Sequence, residues 1–219
     1  MNIIENKIYT TKSAHYYSIG LPTNKIKNIW FVFHGYGELA KDFIKNFEIL
    51  KKDENLIIAP QALNKFYLRG FSGKIGSTWM TKENRESEIE DYVNLIENIY
   101  NEISKKIELS KIKMNVLGFS QGGHTASRWL GKNPHRINRL ILWGSSLPHD
   151  ISYLSSLSYW NDLNIKLVIG NEDRFITKEK LDEELIFLKS QKINYELISY
   201  EGIHAIDEKI LKNICEQLK

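Results

Sequence analysis

Short apolar runs separated by amphipathic stretches organise the chain. Ile29-Trp30-Phe31-Val32-Phe33 is apolar at every position, the pattern of a strand buried on both faces of a sheet. Similar runs recur near 56–59, 114–117, 140–143, 166–169 and 195–199. Helical patterns lie between them, near 38–51, 85–108, 121–132, 178–191 and 205–218. The stretch 85–108 is the clearest. Ile89, Tyr92, Val93, Ile96, Ile99, Tyr100, Ile103 and Ile107 recur there at spacings of three or four, with charges between them. Ahead of these units, residues 3–10 and 14–20 suggest an initial antiparallel pair of strands. Repeated strand–helix units predict an α/β protein: a mainly parallel sheet with helices on both faces.

Composition narrows the class. A chain of 219 residues with 42% hydrophobic positions and five Trp can bury a substantial core, and it is expected to form one domain over 1–219. There is no repeat, low-complexity segment or linker, and no room for a separate cap domain. The formal charge of +3 is spread over mixed Lys and Glu, which argues against nucleic acid as a partner. Cys215 is the sole cysteine, so no internal disulfide can form. The amino terminus lacks an apolar signal core, and no run approaches the roughly 18 apolar residues of a membrane span. A cytoplasmic protein without stable membrane insertion, monomeric or homodimeric, is the expectation.

The chemistry centres on Gly118-Phe119-Ser120-Gln121-Gly122-Gly123. An apolar run precedes it and a helical run follows, so Gly-x-Ser-x-Gly falls on a strand-to-helix turn. Such a nucleophile elbow lifts a serine hydroxyl above the end of a sheet. A serine needs a base to take its proton and an acid to orient that base. In the hydrolase fold that uses this elbow, the chain order is Ser, then Asp or Glu, then His. The run Ile165 to Gly170 is followed directly by Asn171-Glu172-Asp173, and only His204 follows that acid. The expected catalytic residues are therefore Ser120, Asp173 and His204. Glu172 competes for the acid's role; the shorter side chain of Asp173 is the commoner choice.

A hydrolytic serine also needs donors for the oxyanion. The strand near 29–33 ends in His34-Gly35-Tyr36-Gly37-Glu38, a His-Gly-rich turn that supplies one backbone N–H, assigned to Tyr36. Gln121, after the nucleophile at the positive end of a helix, supplies the second. His34 reads as a structural residue beneath this loop. His124 reads as a packed helix residue and His149 as a surface residue. Arg69 and Arg85 flank a long segment and read as surface or loop-bracing residues, with contact to a substrate anion as the alternative. No His, Cys or carboxylate cluster has metal-ligand spacing, so neither a metal nor a cofactor is expected.

Together these residues resemble the phospholipase/carboxylesterase group of α/β hydrolases, which includes acyl-protein thioesterases and small bacterial carboxylesterases. Gly118 to Gly123 is identical to that group's elbow. His34 to Glu38 is similar to its His-Gly-x-Gly-Asp turn, with Glu for Asp. Gly170-Asn171-Glu172-Asp173 resembles its Gly-x-x-Asp, which favours Asp173, although Ile176-Thr177 replaces the usual Val-Pro. Tyr200-Glu201-Gly202-Ile203-His204 resembles its closing Tyr-x-Gly-x-His. The resemblance spans roughly 28–218. It implies an α/β-hydrolase fold and a serine esterase acting on small-molecule or lipid acyl esters. Thioesterase or lysophospholipase activity is the nearer alternative, and a non-catalytic ligand-binding protein on the same scaffold the more distant one.

Two segments exceed simple connections. Residues 61–84 carry Phe66, Tyr67, Phe71 and Trp79 among glycines, and 144–163 carries Leu147, Tyr153 and Trp160. Long aromatic loops in a compact domain are usually functional. Both are expected to wall an acyl pocket, with Trp79, Phe71 and Leu147 touching substrate; packing over the sheet edge is the alternative. In the resembling group a Trp of the first loop lies near the site, and Trp79 is its match.

Overall fold

The computed structural model describes residues 2–216. Among them, strand β1 (Tyr16–Ile19) precedes β2 (Asn28–Phe33), α1 (Ala40–Phe43) and β3 (Asn55–Pro60). A hairpin follows, β4 (Asn64–Tyr67) and β5 (Ile75–Thr78), and then α2 (Arg85–Ser104). Next come β6 (Lys113–Phe119), α3 (Gln121–Lys132), β7 (Arg139–Trp143), α4 (Leu157–Asp162) and β8 (Ile165–Gly170). The succession closes with α5 (Lys178–Ser190), β9 (Tyr195–Tyr200) and α6 (Glu208–Glu216).

Seven of these strands form one sheet in the order β1-β3-β2-β6-β7-β8-β9. All neighbours are parallel except β1, which runs antiparallel to β3 with Tyr16 opposite Pro60. The central strands are buried, apart from the first residues of β2 and β6, because both faces are covered. Alternation along β2 sorts the core into two layers. Ile29, Phe31 and Phe33 face α2 and α3, whereas Trp30 and Val32 face Phe43, Phe47 and the inward residues Leu211 and Ile214 of α6. Trp129 ties α3 to both neighbours: it packs 5.3 Å from the Phe31 ring and donates its indole N–H to Glu97 at 3.0 Å. The 85–108 pattern is buried from Ile89 to Ile103 except at the half-buried Tyr100; the helix ends at Ser104, short of the expected 108, with Ile107 buried just beyond it.

Several elements differ from the sequence expectation. Residues 3–10 form no strand; Ile3, Ile4, Ile8 and Tyr9 are largely exposed, and β1 pairs with β3 instead. The apolar residues of 3–10 have no covered face to enter. The helix expected at 38–51 is one α-helical turn, after which Ile44–Leu50 continues as a tighter 3-10 helix that still buries Phe47 and Leu50. The last helix starts at Glu208, with the Asp207 carboxylate accepting from Ile210 N at 2.9 Å; its expected end at 217–218 lies outside the described residues. The segment 61–84 contains the β4–β5 hairpin, and 144–163 winds through a 3-10 turn and α4 to bury Tyr153 and Trp160.

Candidate active site

The carboxyl ends of β2, β6, β7, β8 and β9 carry the loops of the site, as open parallel sheets dictate. Ser120 sits between β6 and α3 with φ 52° and ψ −122°, a conformation unusual for a residue with a side chain. Strain of this kind costs on the order of 1–3 kcal/mol and persists only where surroundings enforce it. Here the main chain does so: Ser120 N donates to Trp143 O at 2.9 Å, and Ser120 O accepts from Ser145 Oγ at 2.7 Å. At the second residue of α3, a Cβ on Gly122 would clash with Phe33 O and lie 2.7 Å from His34 O. Both obstacles are backbone and cannot swing away. Gly122→Ala should therefore destabilise the fold by about 3 kcal/mol, read as a lower urea midpoint. A midpoint equal to the parent's would mean that α3 does not close on β2 in this way.

Asp173 and His204 meet. The carboxylate Oδ2 accepts from His204 Nδ1 at 2.6 Å, while Oδ1 accepts from Phe175 N at 2.7 Å and Ile176 N at 3.0 Å. The acid is buried, and both of its oxygens accept hydrogen bonds. A proton on Nδ1 leaves Nε2 of His204 as the basic nitrogen. The imidazole lies against the rings of Phe119 at 4.8 Å and Phe175 at 4.7 Å. Gly144, at φ 52°, closes the remaining side: a Cβ there would stand 2.8 Å from His204 Nδ1. Glu172, the competing acid, is exposed, and only its backbone N–H is engaged, with Gly202 O.

The His-Gly turn after β2 abuts the nucleophile. A Cβ on Gly35 would lie 3.2 Å from Ser120 Cβ. The Tyr36 side chain points outward, mostly exposed, with Phe66 beside it at 5.2 Å. The Gln121 side chain is tied back: Nε2 donates to Met80 O at 3.1 Å and Oε1 accepts from Trp79 N at 3.1 Å. Gln121 N is the first amide of α3 and so has no intrahelical acceptor. Beneath the turn, His34 is buried, and that burial pushes its pKa down to about 4. Its Nδ1 lies 2.8 Å from Gly35 O and its Nε2 accepts from Ala62 N at 3.2 Å.

Glu38, which sequence reasoning left without a role, holds the turn from above. Its Oε2 accepts from Gly35 N at 2.7 Å. Burial raises its pKa, opposed by that hydrogen bond and by the nearby His204 and Lys74. A carboxyl whose pKa rises on folding stabilises the fold most when protonated, and that contribution falls as pH rises through the raised value. Glu38→Gln keeps an acceptor without a charge to desolvate, so it should flatten the decline of stability from pH 4.5 to pH 7 in urea unfolding. Glu38→Ala should cost about 1–2 kcal/mol through the orphaned Gly35 amide. Equal pH dependence in parent and Glu38→Gln would exclude this role.

The three expected substrate contacts occupy unlike environments. Trp79 is 1% exposed; it stacks on His34 at 4.8 Å and donates its indole N–H to His34 O at 2.9 Å. It braces the turn and has almost no surface left for a ligand. Leu147 is fully buried, with its amide donating to Glu184 Oε1 at 2.9 Å. Phe71 is 99% exposed on the segment joining β4 to β5. The sequence could not separate these cases, because aromatic content marks a long loop as ordered without saying which side chain faces inward. Among the described residues, no three of His, Cys, Asp and Glu converge as a metal would require, and no helix is long and apolar enough to cross a membrane.

The phospholipase/carboxylesterase family profile matches residues 14–219. No curated protein matches the sequence. Among solved structures, acyl-protein thioesterase 2 of Zea mays superposes with a TM-score of 0.68 at 18% identity, covering 94% of this chain and 98% of that one. A phospholipase/carboxylesterase from Dyadobacter fermentans gives 0.66 at 21% identity, covering 98% and 100%. Esterase PE8 gives 0.69 at 17% identity, covering 94% and 98%. At these identities the likeness establishes the α/β-hydrolase architecture.

Proposed function

The chain belongs to the phospholipase/carboxylesterase family of hydrolases, and from that membership we propose that it cleaves carboxylic esters through Ser120, His204 and Asp173. The observation that carries this reading is the 2.6 Å contact between His204 Nδ1 and Asp173 Oδ2, with the imidazole packed on Phe119, the residue before the strained Ser120. His204 Nε2 takes the proton of Ser120 Oγ as the oxygen attacks the acyl carbon. The carbonyl oxygen becomes an oxyanion, held by the backbone N–H groups of Tyr36 and Gln121. The tetrahedral intermediate collapses, His204 gives its proton to the departing alcohol, and the acyl group remains on Ser120. A water, deprotonated by the same nitrogen, then attacks the acyl-enzyme and releases the acid. Asp173 keeps the imidazole in one tautomer and stabilises its charged form.

Tyr36, Phe175 and Ile203 on the surrounding loops are each mostly exposed, giving the site an open apolar rim. That rim supports a second reading, thioester cleavage on a larger acylated carrier. The test is hydrolysis of a p-nitrophenyl ester series from acetate to palmitate, beside an acyl-thioester. Hydrolysis that disappears in Ser120→Ala supports the serine esterase, and the preferred chain length and leaving group choose between the readings. No turnover of any member would favour a non-catalytic binding role.

A further inference from the structure

Beyond the nucleophile, along α3, lies an open cavity of about 550 Å³ whose wall combines the apolar Met80, Leu147 and Pro148 with two arginines and one carboxylate. His124 borders it one helical turn from Ser120, and so does Ser146, two residues after the Gly144 that packs on His204. Arg85 and Arg128 supply two guanidinium groups to the wall, facing a single carboxylate between them, Asp150. Arg85 Nη2 donates to Asp150 at 2.7 Å and Arg128 Nε donates to it at 3.1 Å. The other anions nearby are engaged elsewhere. The exception is Glu86, which pairs with Arg85 Nε at 3.6 Å from an exposed position; Glu184 holds His149 and the Leu147 amide.

The donors left over are poorly served. Nη1 of Arg85 points at the Met80 sulfur at 3.3 Å, and Nη1 of Arg128 at the same atom at 3.8 Å and at Tyr92 Oη at 3.4 Å. A thioether is a weak acceptor, so two cationic donors converge on an atom that satisfies neither. His124 adds no competing acceptor of strength; burial, reinforced by Arg128, pushes its pKa down to about 4, and Nε2 lies 3.0 Å from Ser146 Oγ. Arg128 is itself 6% exposed, so its charge is held at low solvent access.

We propose that this cavity binds an anionic group of the substrate, a carboxylate or a group of like charge and shape, several bonds from the ester cleaved at Ser120. The guanidinium fork matches that geometry. The inference rests on the serine-hydrolase reading above and names its substrate class: esters bearing an anion. If the two arginines only brace α2, α3 and the loop after β7, substrate charge is irrelevant.

The experiment compares kcat/KM for matched esters in low salt. On the acyl side, p-nitrophenyl hemiglutarate is paired with p-nitrophenyl valerate. On the alcohol side, the butyryl ester of 3-hydroxybenzoate is paired with phenyl butyrate. The parent should favour at least one anionic ester over its neutral partner by about tenfold or more, and the favoured pair identifies the half that carries the anion. That preference should shrink with added salt and fall to near one in Arg85→Met. Free glutarate should inhibit the parent competitively where valerate does not, a readout that needs no variant. A parent without preference in either pair, or a preference that survives unchanged in Arg85→Met, overturns the proposal. Hydrolysis of the neutral esters by the parent and not by Ser120→Ala would leave the serine-hydrolase reading standing in that event.

Discussion

Ser120→Ala should lower kcat for ester hydrolysis by on the order of 10⁶-fold, by analogy with a protease triad, while leaving the fold intact. The two halves of that expectation have separate causes. Loss of Oγ removes the atom that attacks the substrate's acyl carbon in the first step of the proposed mechanism. The backbone, in contrast, keeps the determinants of its strained geometry, because the bonds to Trp143 O and Ser145 Oγ use main-chain atoms of residue 120. Alanine also retains Cβ and so carries the same penalty at φ 52°. Steady-state kinetics and a thermal melt read the two halves. A variant with more than a hundredth of parental activity, folded and free of contaminating esterase, would remove Ser120 from the role of nucleophile.

Asp173→Asn should lower kcat about 10⁴-fold, with Glu172→Gln close to the parent. The asymmetry comes from where the acceptor atoms point. Asn can keep an oxygen on the amides of Phe175 and Ile176, which hold Oδ1 at 2.7 and 3.0 Å. Its amide nitrogen then faces His204 Nδ1 in place of the carboxylate oxygen. A donor there forces the imidazole to carry its proton on Nε2, and an Nε2–H cannot accept the serine proton. Glu172 makes no comparable contact and is exposed. If Glu172→Gln were the impaired variant and Asp173→Asn nearly active, the acid would have been misassigned.

Much of the scaffold was legible because burial on both faces writes itself as unbroken apolar runs. Each of the six strands expected from 29 onward has a counterpart in the sheet, extended by a residue or two at its ends. The 85–108 pattern gave α2 for the same reason, since one stripe of Ile, Tyr and Val had to meet the sheet. The site followed from chain order: Asp173 and His204 are far apart in sequence, yet the strands that carry them are neighbours. What stayed hidden lacked a period. Residues 3–10 hold β-branched and aromatic side chains but pair with no strand among the described residues, and pairing is a property of two segments. The β4–β5 hairpin is polar and aromatic at once, so neither face declares itself. Trp79 matched an expected ligand contact by position, whereas its neighbours His34 and Gln121 consume it in bracing. Arg85 reads in sequence as a surface or loop-bracing residue with anion contact as the alternative, but its pairing with Arg128 gave no local signal, because their shared partner Asp150 follows a different strand.

The placement of β9 has a consequence for how the protein fails. It is the last strand of the sheet and pairs on one side only, with Tyr195 and Leu197 partly exposed. His204 hangs from its end, while Ser120 and Asp173 are anchored on interior strands. Edge elements open locally at lower free energy than the centre of a sheet. A brief release of β9 would carry His204 away from Asp173 without disturbing Trp30, Trp79, Trp129 or Trp160, all buried in the core, whereas Trp143, whose indole N–H donates to Tyr200 Oη at 3.0 Å, would lose that contact. Catalytic competence would then drain away under heat or urea while four of the five tryptophans still report an intact core, and it would return without refolding of that core. The enzyme would behave as a molecule whose activity has its own melting curve, set by one strand.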